Sequence, residues 1–314
     1  MEYKFHPASK DKVEGLILGS LVGDALGVPV EFAPRVILKK DPVVDMRGFG
    51  VHNQPKGTWS DDGSLLLCSL ETLVENQPSV EALKRFTKWL NEGYWAAHGT
   101  AFDIGNTTAE AIENFMQHGV PSAPAGHFNN GNGSLMRISP LALFIDRMHM
   151  FPEDLYELCK EWSSLTHGNE VSAFCCTFYV MMVSMLLEGK MDPLDAYIFT
   201  CRLAEKLVPK SVNLGPVGIE RLISGTVHRL EESQIRSGGY CIDTLEASIW
   251  AALNSTSYSE GVLKAVNLGE DSDTTGTVCG GLLGAYYGRS TIPVDWINSL
   301  ARINDIDALL QKIK

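Results

Sequence analysis

VSAFCCTFYVMMVSMLL, residues 171–187, is the longest apolar run in the chain, broken only by Ser172, Thr177 and Ser184. It falls short of the ~20 residues that a bilayer core demands and lacks basic flanks, so it reads as a helix buried in a protein core. The pattern around it is also helical. Leu155, Leu158, Cys159, Trp162 and Leu165 recur at helical spacing, opened by Pro152 at a helix start. Downstream, Gly189 is a stop signal, and Asp192-Pro193 opens a further helix through Tyr197, Cys201 and Leu207. Toward the N-terminus, Val13, Leu16, Ile17 and Leu21 make one stripe, and Val80, Leu83, Phe86 and Leu90 another. The spacing predicts more helices over 65–76, 105–117, 134–147, 217–233, 243–254, 259–267, 274–288 and 294–312. No alternating run of strand length stands out, and no strand leads into a dinucleotide-type glycine fingerprint. The expectation is an all-α protein. With no low-complexity linker and no fixed-period repeat, residues 1–314 are expected to form one domain. Two proline-rich stretches, 27–60 and 119–133, escape the helical pattern, and loops of that length are commonly functional.

The composition narrows the function. Of 314 residues, 45% are hydrophobic and 20% charged, which is too apolar for a disordered chain. Lys plus Arg number 26 against 38 Asp plus Glu, a formal net charge of -12. Such a surface repels phosphate backbones, so non-specific nucleic-acid binding is not expected. An anionic ligand would need a local reversal of the field, by a bound cation or by helix N-termini. Met1 to Lys12 is polar, without the apolar core of a signal peptide. The seven cysteines are odd in number, lie mostly in apolar stretches and form no Cys-x-x-Cys pair. They read as reduced core residues of a cytoplasmic protein with no membrane partner.

Two acidic clusters precede apolar helices. The first is Thr58-Trp59-Ser60-Asp61-Asp62-Gly63-Ser64; the second is Gly269-Glu270-Asp271-Ser272-Asp273-Thr274-Thr275-Gly276. Helix capping accounts for one carboxylate in each. It does not account for three acidic residues within four positions, which repel one another unless protonated, hydrated or holding a cation. Ser60, Asp61, Asp62, Asp271, Asp273 and Thr274 are all hard oxygen ligands, favouring magnesium or manganese over zinc. Four carboxylates can hold two divalent ions, as in two-metal hydrolases.

Other candidates are weaker when taken singly. Gly131-Asn132-Gly133-Ser134 could cradle a phosphate at a helix start, or be a plain loop. Asp24 falls on the apolar stripe of the first helix and reads as a satisfied structural carboxylate. Glu31 follows Pro29 in irregular chain and is freer to face a site. Asp103 reads as a helix cap or as a functional acid. His167 reads as a cation at a helix C-terminus or as a ligand to a phosphate or base.

Together these residues are recognisable. The chain resembles the ADP-ribosylglycohydrolase family through GSLVGDALGVPVEF (19–32), GTWSDDGSLLLCSLETL (57–73), FDIGNTT (102–108), GNGSLMRISPLALF (131–144), SLTHGNEVS (164–172), YCIDTLEASIWAAL (240–253) and AVNLGEDSDTTGTVCGGLLGAYYG (265–288). The resemblance implies an orthogonal all-α fold with two Mg2+ ions, for which Mn2+ can substitute, at the bottom of a cleft. It implies hydrolysis of the glycosidic bond between ADP-ribose and an acceptor, on a protein or in a small ADP-ribose-containing molecule. Ser60, Asp61 and Asp62 match the first metal motif, and Asp271, Asp273 and Thr274 the second. Gly131, Asn132, Gly133 and Ser134 match a segment contacting the phosphates, and His167 a position lining the nucleotide site. Glu31 matches a carboxylate at the cleft mouth that serves as a base or a metal-linked gate. The stretch with Asp103 looks like the arginine-directed branch, so ADP-ribosylated arginine is the leading acceptor. Asp61 or Glu31 would then assist the water, and Asp103 would orient or protonate the acceptor. A non-hydrolysing ADP-ribose-binding module and a hydrolase of a small related nucleotide are the rival expectations. Two positions depart from the family pattern: Gly63 stands where Thr or Ser is common, and Glu270 where Gly is frequent.

Overall fold

The computed structural model describes residues 8–126, 128–145, 154–207 and 218–313, and among them helices make up the regular structure. In chain order the α-helices are α1 (Lys10–Gly27), α2 (Arg35–Leu38), α3 (Asp61–Val74), α4 (Val80–Glu92), α5 (Asn106–His118), α6 (Leu155–Ser163), α7 (Glu170–Glu188), α8 (Pro193–Leu207), α9 (Ile219–Leu222), α10 (Cys241–Leu253), α11 (Tyr258–Val266), α12 (Ser272–Tyr287), α13 (Val294–Ser299) and α14 (Ile303–Leu310). The described residues contain no strand, only the bridges Phe49–Gln54 and Gly131–Tyr240, so the all-α expectation holds. The apolar run at 171–187 lies inside α7 and is buried throughout. By length and composition, α7 and α1 with its following turn could each cross a membrane. Protein covers 94% and 89% of their apolar windows, as it does in core helices.

The centre of the fold is the antiparallel pair α1 and α12. Gly15, Gly19 and Gly23 of α1 face Gly284, Gly280 and Gly276 of α12, backbone against backbone. A Cβ added at these three α1 positions would lie 2.3, 2.4 and 2.0 Å from the facing carbonyl oxygens. Each mid-helix glycine costs about 1 kcal/mol of helix propensity relative to alanine. In exchange the helices touch with no side chain between them. Gly27 extends the stripe: a Cβ there would lie 2.3 Å from the Cα of Asp273. The C-terminal end of α1 is thereby set against the first turn of α12. Two tyrosines seal the pair. The Tyr258 hydroxyl donates to the Gly19 carbonyl at 2.8 Å, and that of Tyr179, on α7, to the Val278 carbonyl at 3.0 Å.

Several boundaries depart from the sequence expectation. The predicted helix at 134–147 is not α-helical over its described part; the chain turns and then makes a 3-10 segment, Ser139–Leu143. Pro140 lacks an N–H and disfavours α geometry at Ser139, which outweighs the apolar periodicity. The predicted helix at 217–233 is short α9 followed by two 3-10 turns, because Gly225 takes a left-handed turn (φ 74°). The predicted helix at 294–312 is split into α13 and α14 at extended Leu300 and left-handed Arg302. Residues 146, 147 and 217 of these predictions, and the Pro152 start, lie outside the described residues.

Candidate active site

Helix α3 begins at Asp61, so both aspartates of the first acidic cluster sit in its first turn. Ser60 is the N-cap, accepting from the Asp62 N–H at 3.2 Å. A carboxylate from α1 completes the cap: Asp24 accepts the Ser60 N–H at 2.9 Å and the Gly63 N–H at 2.8 Å. The structural reading of Asp24 is therefore correct. The second cluster behaves differently from a cap. Asp271 occupies the N-cap position of α12, yet its side chain bonds to no N–H of that helix's first turn. The two clusters meet directly: the Thr274 hydroxyl donates to Asp62 Oδ1 at 3.3 Å, across 212 residues of chain.

Loops complete the ring. The Phe32 N–H donates to the Glu270 carbonyl at 2.6 Å and the Glu270 N–H to the Ala33 carbonyl at 2.9 Å. This exchange brings Glu31 within reach of the second cluster: carboxylate oxygens of Glu31, Asp271 and Asp273 lie within 4.8 Å of one another. Arg35 anchors the same loop through the carbonyls of Leu268 (2.8 Å), Glu232 (2.6 Å) and Ile235 (2.8 Å). The Asn132 amide donates to Asp271 Oδ2 at 2.8 Å, joining the Gly-Asn-Gly loop to the acidic centre. At the cleft mouth, Asp103 is left-handed (φ 63°) and does not cap α5, whose N-cap is Gly105. The His52 Nε2 contacts Glu31 closely and lies 3.7 Å from Asp103 Oδ1. Its ring stands 5.2 Å from that of Phe102 and 6.1 Å from that of Phe32.

These groups border a cleft of about 430 Å3, and the described residues that line it include neither lysine nor arginine. Burial is the first cause, and neighbouring carboxylates the second, of the upward pKa shifts of Asp61, Asp62 and Asp273. Burial also pushes up Asp271. Glu31 and Asp103 are likewise raised by burial, and each acts on the other. Asp62 Oδ2 and Asp271 Oδ1 are buried and have no hydrogen-bond partner among the described residues. Unpaired buried carboxylate oxygens are costly and ask for a partner. With only hard oxygen donors converging on them, the residues fit a divalent cation such as magnesium or manganese.

The structure brings Glu31, Asp61, Asp62, Asp103, Asp271 and Thr274 to the cleft, with Asp273 beside Glu31 and Asp271. Gly131, Asn132, Gly133 and His167 line its other side. Ser134 is placed differently. The Ser134 hydroxyl points into the core, where it accepts from Ser163 Oγ at 2.9 Å and lies 3.5 Å from Cys176 Sγ. The Ser60 hydroxyl is engaged as the cap of α3. His167 is no cation: burial and the nearby Arg137 push its pKa down to about 3. Sequence reasoning missed His52, Phe32 and Arg35. His52 is a lone histidine in irregular chain and carried no signal. The four-residue spacing of Gly15, Gly19, Gly23 and Gly27, repeated at Gly276, Gly280 and Gly284, was a legible signal for the helix contact that aligns the clusters.

Comparison with known proteins fits this geometry. A family model described as ADP-ribosylglycohydrolase matches residues 6–314. ADP-ribosylarginine hydrolase Tri1 of Pseudomonas putida is 32% identical over 308 residues, covering 96% of this chain and 78% of the relative. ADP-ribosyl-[dinitrogen reductase] glycohydrolase of Rhodospirillum rubrum is 27% identical, covering 94% and 92%. A solved structure titled as an ADP-ribosylglycohydrolase-related protein complex superposes with a TM-score of 0.80 at 30% identity, covering 97% of each chain.

Proposed function

Because the chain belongs to the ADP-ribosylglycohydrolase family, and so is a hydrolase of glycosidic bonds to ADP-ribose, we propose that its substrate is ADP-ribosylated arginine on a protein and that its cofactor is a pair of magnesium ions. One observation carries the cofactor: two acidic helix starts, distant in sequence, converge with buried unpaired oxygens and, among the described residues, no lysine or arginine lining the cleft. Ser60, Asp61, Asp62, Asp271, Asp273 and Thr274 would hold the ions. When bound, the ions supply positive charge that orients the ribose hydroxyls and offsets the acidic field facing the diphosphate.

The chain's own residues divide the remaining work. Gly131, Asn132, Gly133 and His167 form the side of the cleft that takes the diphosphate. Glu31, His52 and Asp103, with the Phe102 and Phe32 rings, form the acceptor side. A guanidinium suits that side, since carboxylates and aromatic faces both attract it. Tri1 relatives named as ADP-ribosylarginine hydrolases support the same acceptor. In the reaction, the bond from the ribose anomeric carbon to the acceptor nitrogen breaks, and its electron pair goes to that nitrogen. Asp103 delivers a proton there. Glu31 or Asp61 takes the proton of the attacking water.

The test is incubation with arginine-, serine- and nucleobase-linked ADP-ribose, with and without magnesium, following free ADP-ribose. Release from the arginine conjugate, only with metal, is expected. Binding of ADP-ribose without release from any conjugate would instead identify a binding module. Asp61→Ala and Asp273→Ala should fold and be inactive. Activity retained in either, with no bound metal, defeats the assignment.

A further inference from the structure

Arg137 belongs to the segment GNGSLMRISPLALF, but nothing in the proposed chemistry uses it. Its guanidinium is fully buried, and no carboxylate pairs with it among the described residues. Among the described residues, Nε and Nη1 have no hydrogen-bond partner. The guanidinium lies over the Phe86 ring, 4.7 Å from its centroid. A buried, unpaired cation is among the costliest groups a core can hold. Its bonded nitrogen, Nη2, donates to the Trp162 carbonyl at 3.1 Å and to Thr166 Oγ1 at 2.8 Å.

Thr166 is the next link. Its hydroxyl oxygen accepts from Arg137, which can only donate. Its single proton then needs an acceptor, and among the described residues the one in reach is His167 Nδ1, at 2.9 Å. The ring is pinned on its other edge. A Cβ on Gly133 would lie 2.8 Å from His167 Cε1, and one on Gly131 would lie 3.4 Å from Nε2. His167 Nε2 has no hydrogen-bond acceptor among the described residues, and the ring lines the cleft. Burial and the Arg137 charge hold the ring neutral, with a pKa of about 3, so it carries one N–H and the choice of nitrogen matters.

We propose that Arg137 and Thr166 are positioning residues that lock His167 in the tautomer protonated on Nε2, so that the cleft receives an N–H donor of fixed direction for an anionic oxygen of the ligand. This rests on the reading that the Gly131–His167 side takes the diphosphate. The chain runs one way: Arg137 donates to Thr166, Thr166 donates to Nδ1, and Nε2–H is left facing the ligand. In a cleft whose ionisable lining is otherwise carboxylate among the described residues, the lock keeps a lone pair from being turned toward a phosphate.

The test uses the full chain with 15N-labelled histidine, the His167 signals being assigned by their loss in His167→Gln. Wild-type protein should show Nε2 protonated and Nδ1 bare near neutral pH. Thr166→Val removes the hydroxyl at nearly constant shape and should move protons onto Nδ1; Thr166→Ser should restore the wild-type pattern. The Kd for free ADP-ribose should rise about tenfold in Thr166→Val and recover in Thr166→Ser. A protonated Nδ1 in the wild-type protein overturns the lock, even if Thr166→Val fails to fold. So does an unchanged tautomer in a folded Thr166→Val. A tautomer that follows Thr166 while the ADP-ribose Kd stays constant keeps the lock and removes the diphosphate from this side of the cleft.

Discussion

Replacing Gly23 with alanine puts the contact between α1 and α12 to the test. The added Cβ would stand 2.0 Å from the Gly276 carbonyl oxygen and 2.4 Å from its carbonyl carbon. Ordinary contact begins at 3.4 Å, so the helices must part by about 1.4 Å. Both neighbours are backbone, and no rotamer change relieves them. Overpacking of this kind costs up to about 3 kcal/mol. Alanine's better helix propensity returns about 1 kcal/mol, leaving a net loss of roughly 2 kcal/mol.

The functional cost should be larger than the stability cost. Gly23 adjoins Asp24, which caps α3, and faces Gly276, two residues from Thr274. Parting the helices there separates Asp62 from Thr274. A displacement of about 1 Å in a catalytic constellation costs on the order of a hundredfold in rate. Gly15→Ala is the control, because its Cβ meets the Gly284 carbonyl oxygen at 2.3 Å at the opposite end of the pair. Urea denaturation should show similar losses for both variants. ADP-ribose release from an arginine conjugate, per folded molecule, should collapse only in Gly23→Ala. Equal rates in the two variants would refute the claim that the stripe aligns the site, and wild-type stability in Gly23→Ala would refute the contact.

Three further outcomes follow from the electrostatics and packing. Asp62→Asn relieves repulsion around a buried, unpaired oxygen. In chelator it should melt above the wild-type protein, while lacking the magnesium-dependent gain expected of wild type, about 2.7 kcal/mol at a hundred times Kd; calorimetric melts with and without metal decide it. Metal-free protein should lose stability as pH rises between about 7 and 9, a window in which an unfolded histidine is already neutral. Glu31 and Asp103 are pushed up to about 8, above their unfolded values of about 4, so their contribution is complete only below the unfolded values and goes on being lost as pH climbs through the folded value. Urea midpoints that increase over this range contradict the assignment. Gly63→Thr, the residue type common in the family, should cost about 2 kcal/mol here. Its Cβ would meet Leu21 Cδ2 at 2.7 Å and Trp59 Cβ at 2.8 Å, and an unchanged denaturation midpoint would show that this packing yields.

Much of this was legible in the chain because its signals are local. The helical stripes locate α1, α4, α5, α7 and α10 to α12 closely, since apolar periodicity and end residues act over one or two turns. The failures are also local in origin. Proline 140 and glycine 225 override periodicity that looks continuous across 134–147 and 217–233. At the site, the residue types named the donors, and the family resemblance paired the two clusters. What stayed hidden were partners set by tertiary contact. Ser134 belongs to a loop motif, yet its hydroxyl bonds to Ser163 in the core. His167 reads equally as a terminal cation or as a ligand contact, and its burial beside Arg137 removes the first reading. His52 meets Glu31 only because its loop folds back over α1's end.

The division between helix and loop also says where substrate choice resides. Asp61, Asp62, Asp273 and Thr274 lie in the first turns of α3 and α12, and Asp24 on α1 braces the first of these. Helix N-termini favour negative charge, so both macrodipoles offset part of the repulsion among these carboxylates before any cation arrives. The backbone contact of α1 with α12 leaves that half of the site little freedom to adjust. The half proposed to take the acceptor is built otherwise. Glu31 and Asp103 stand on irregular chain and His52 in a single 3-10 turn, Gly50–His52, and Phe32, Asp103 and Glu270 take left-handed backbone conformations (φ 61°, 63° and 59°) that side chains rarely adopt. Such strain persists only where surrounding contacts impose it, here the Phe32–Glu270 exchange and the Arg35 anchor. A change of acceptor can therefore be made by rebuilding loops while the helix-borne ligands stay fixed. On this argument the residues that separate an arginine conjugate from a serine conjugate are those around Asp103 and His52, not those at the acidic helix starts.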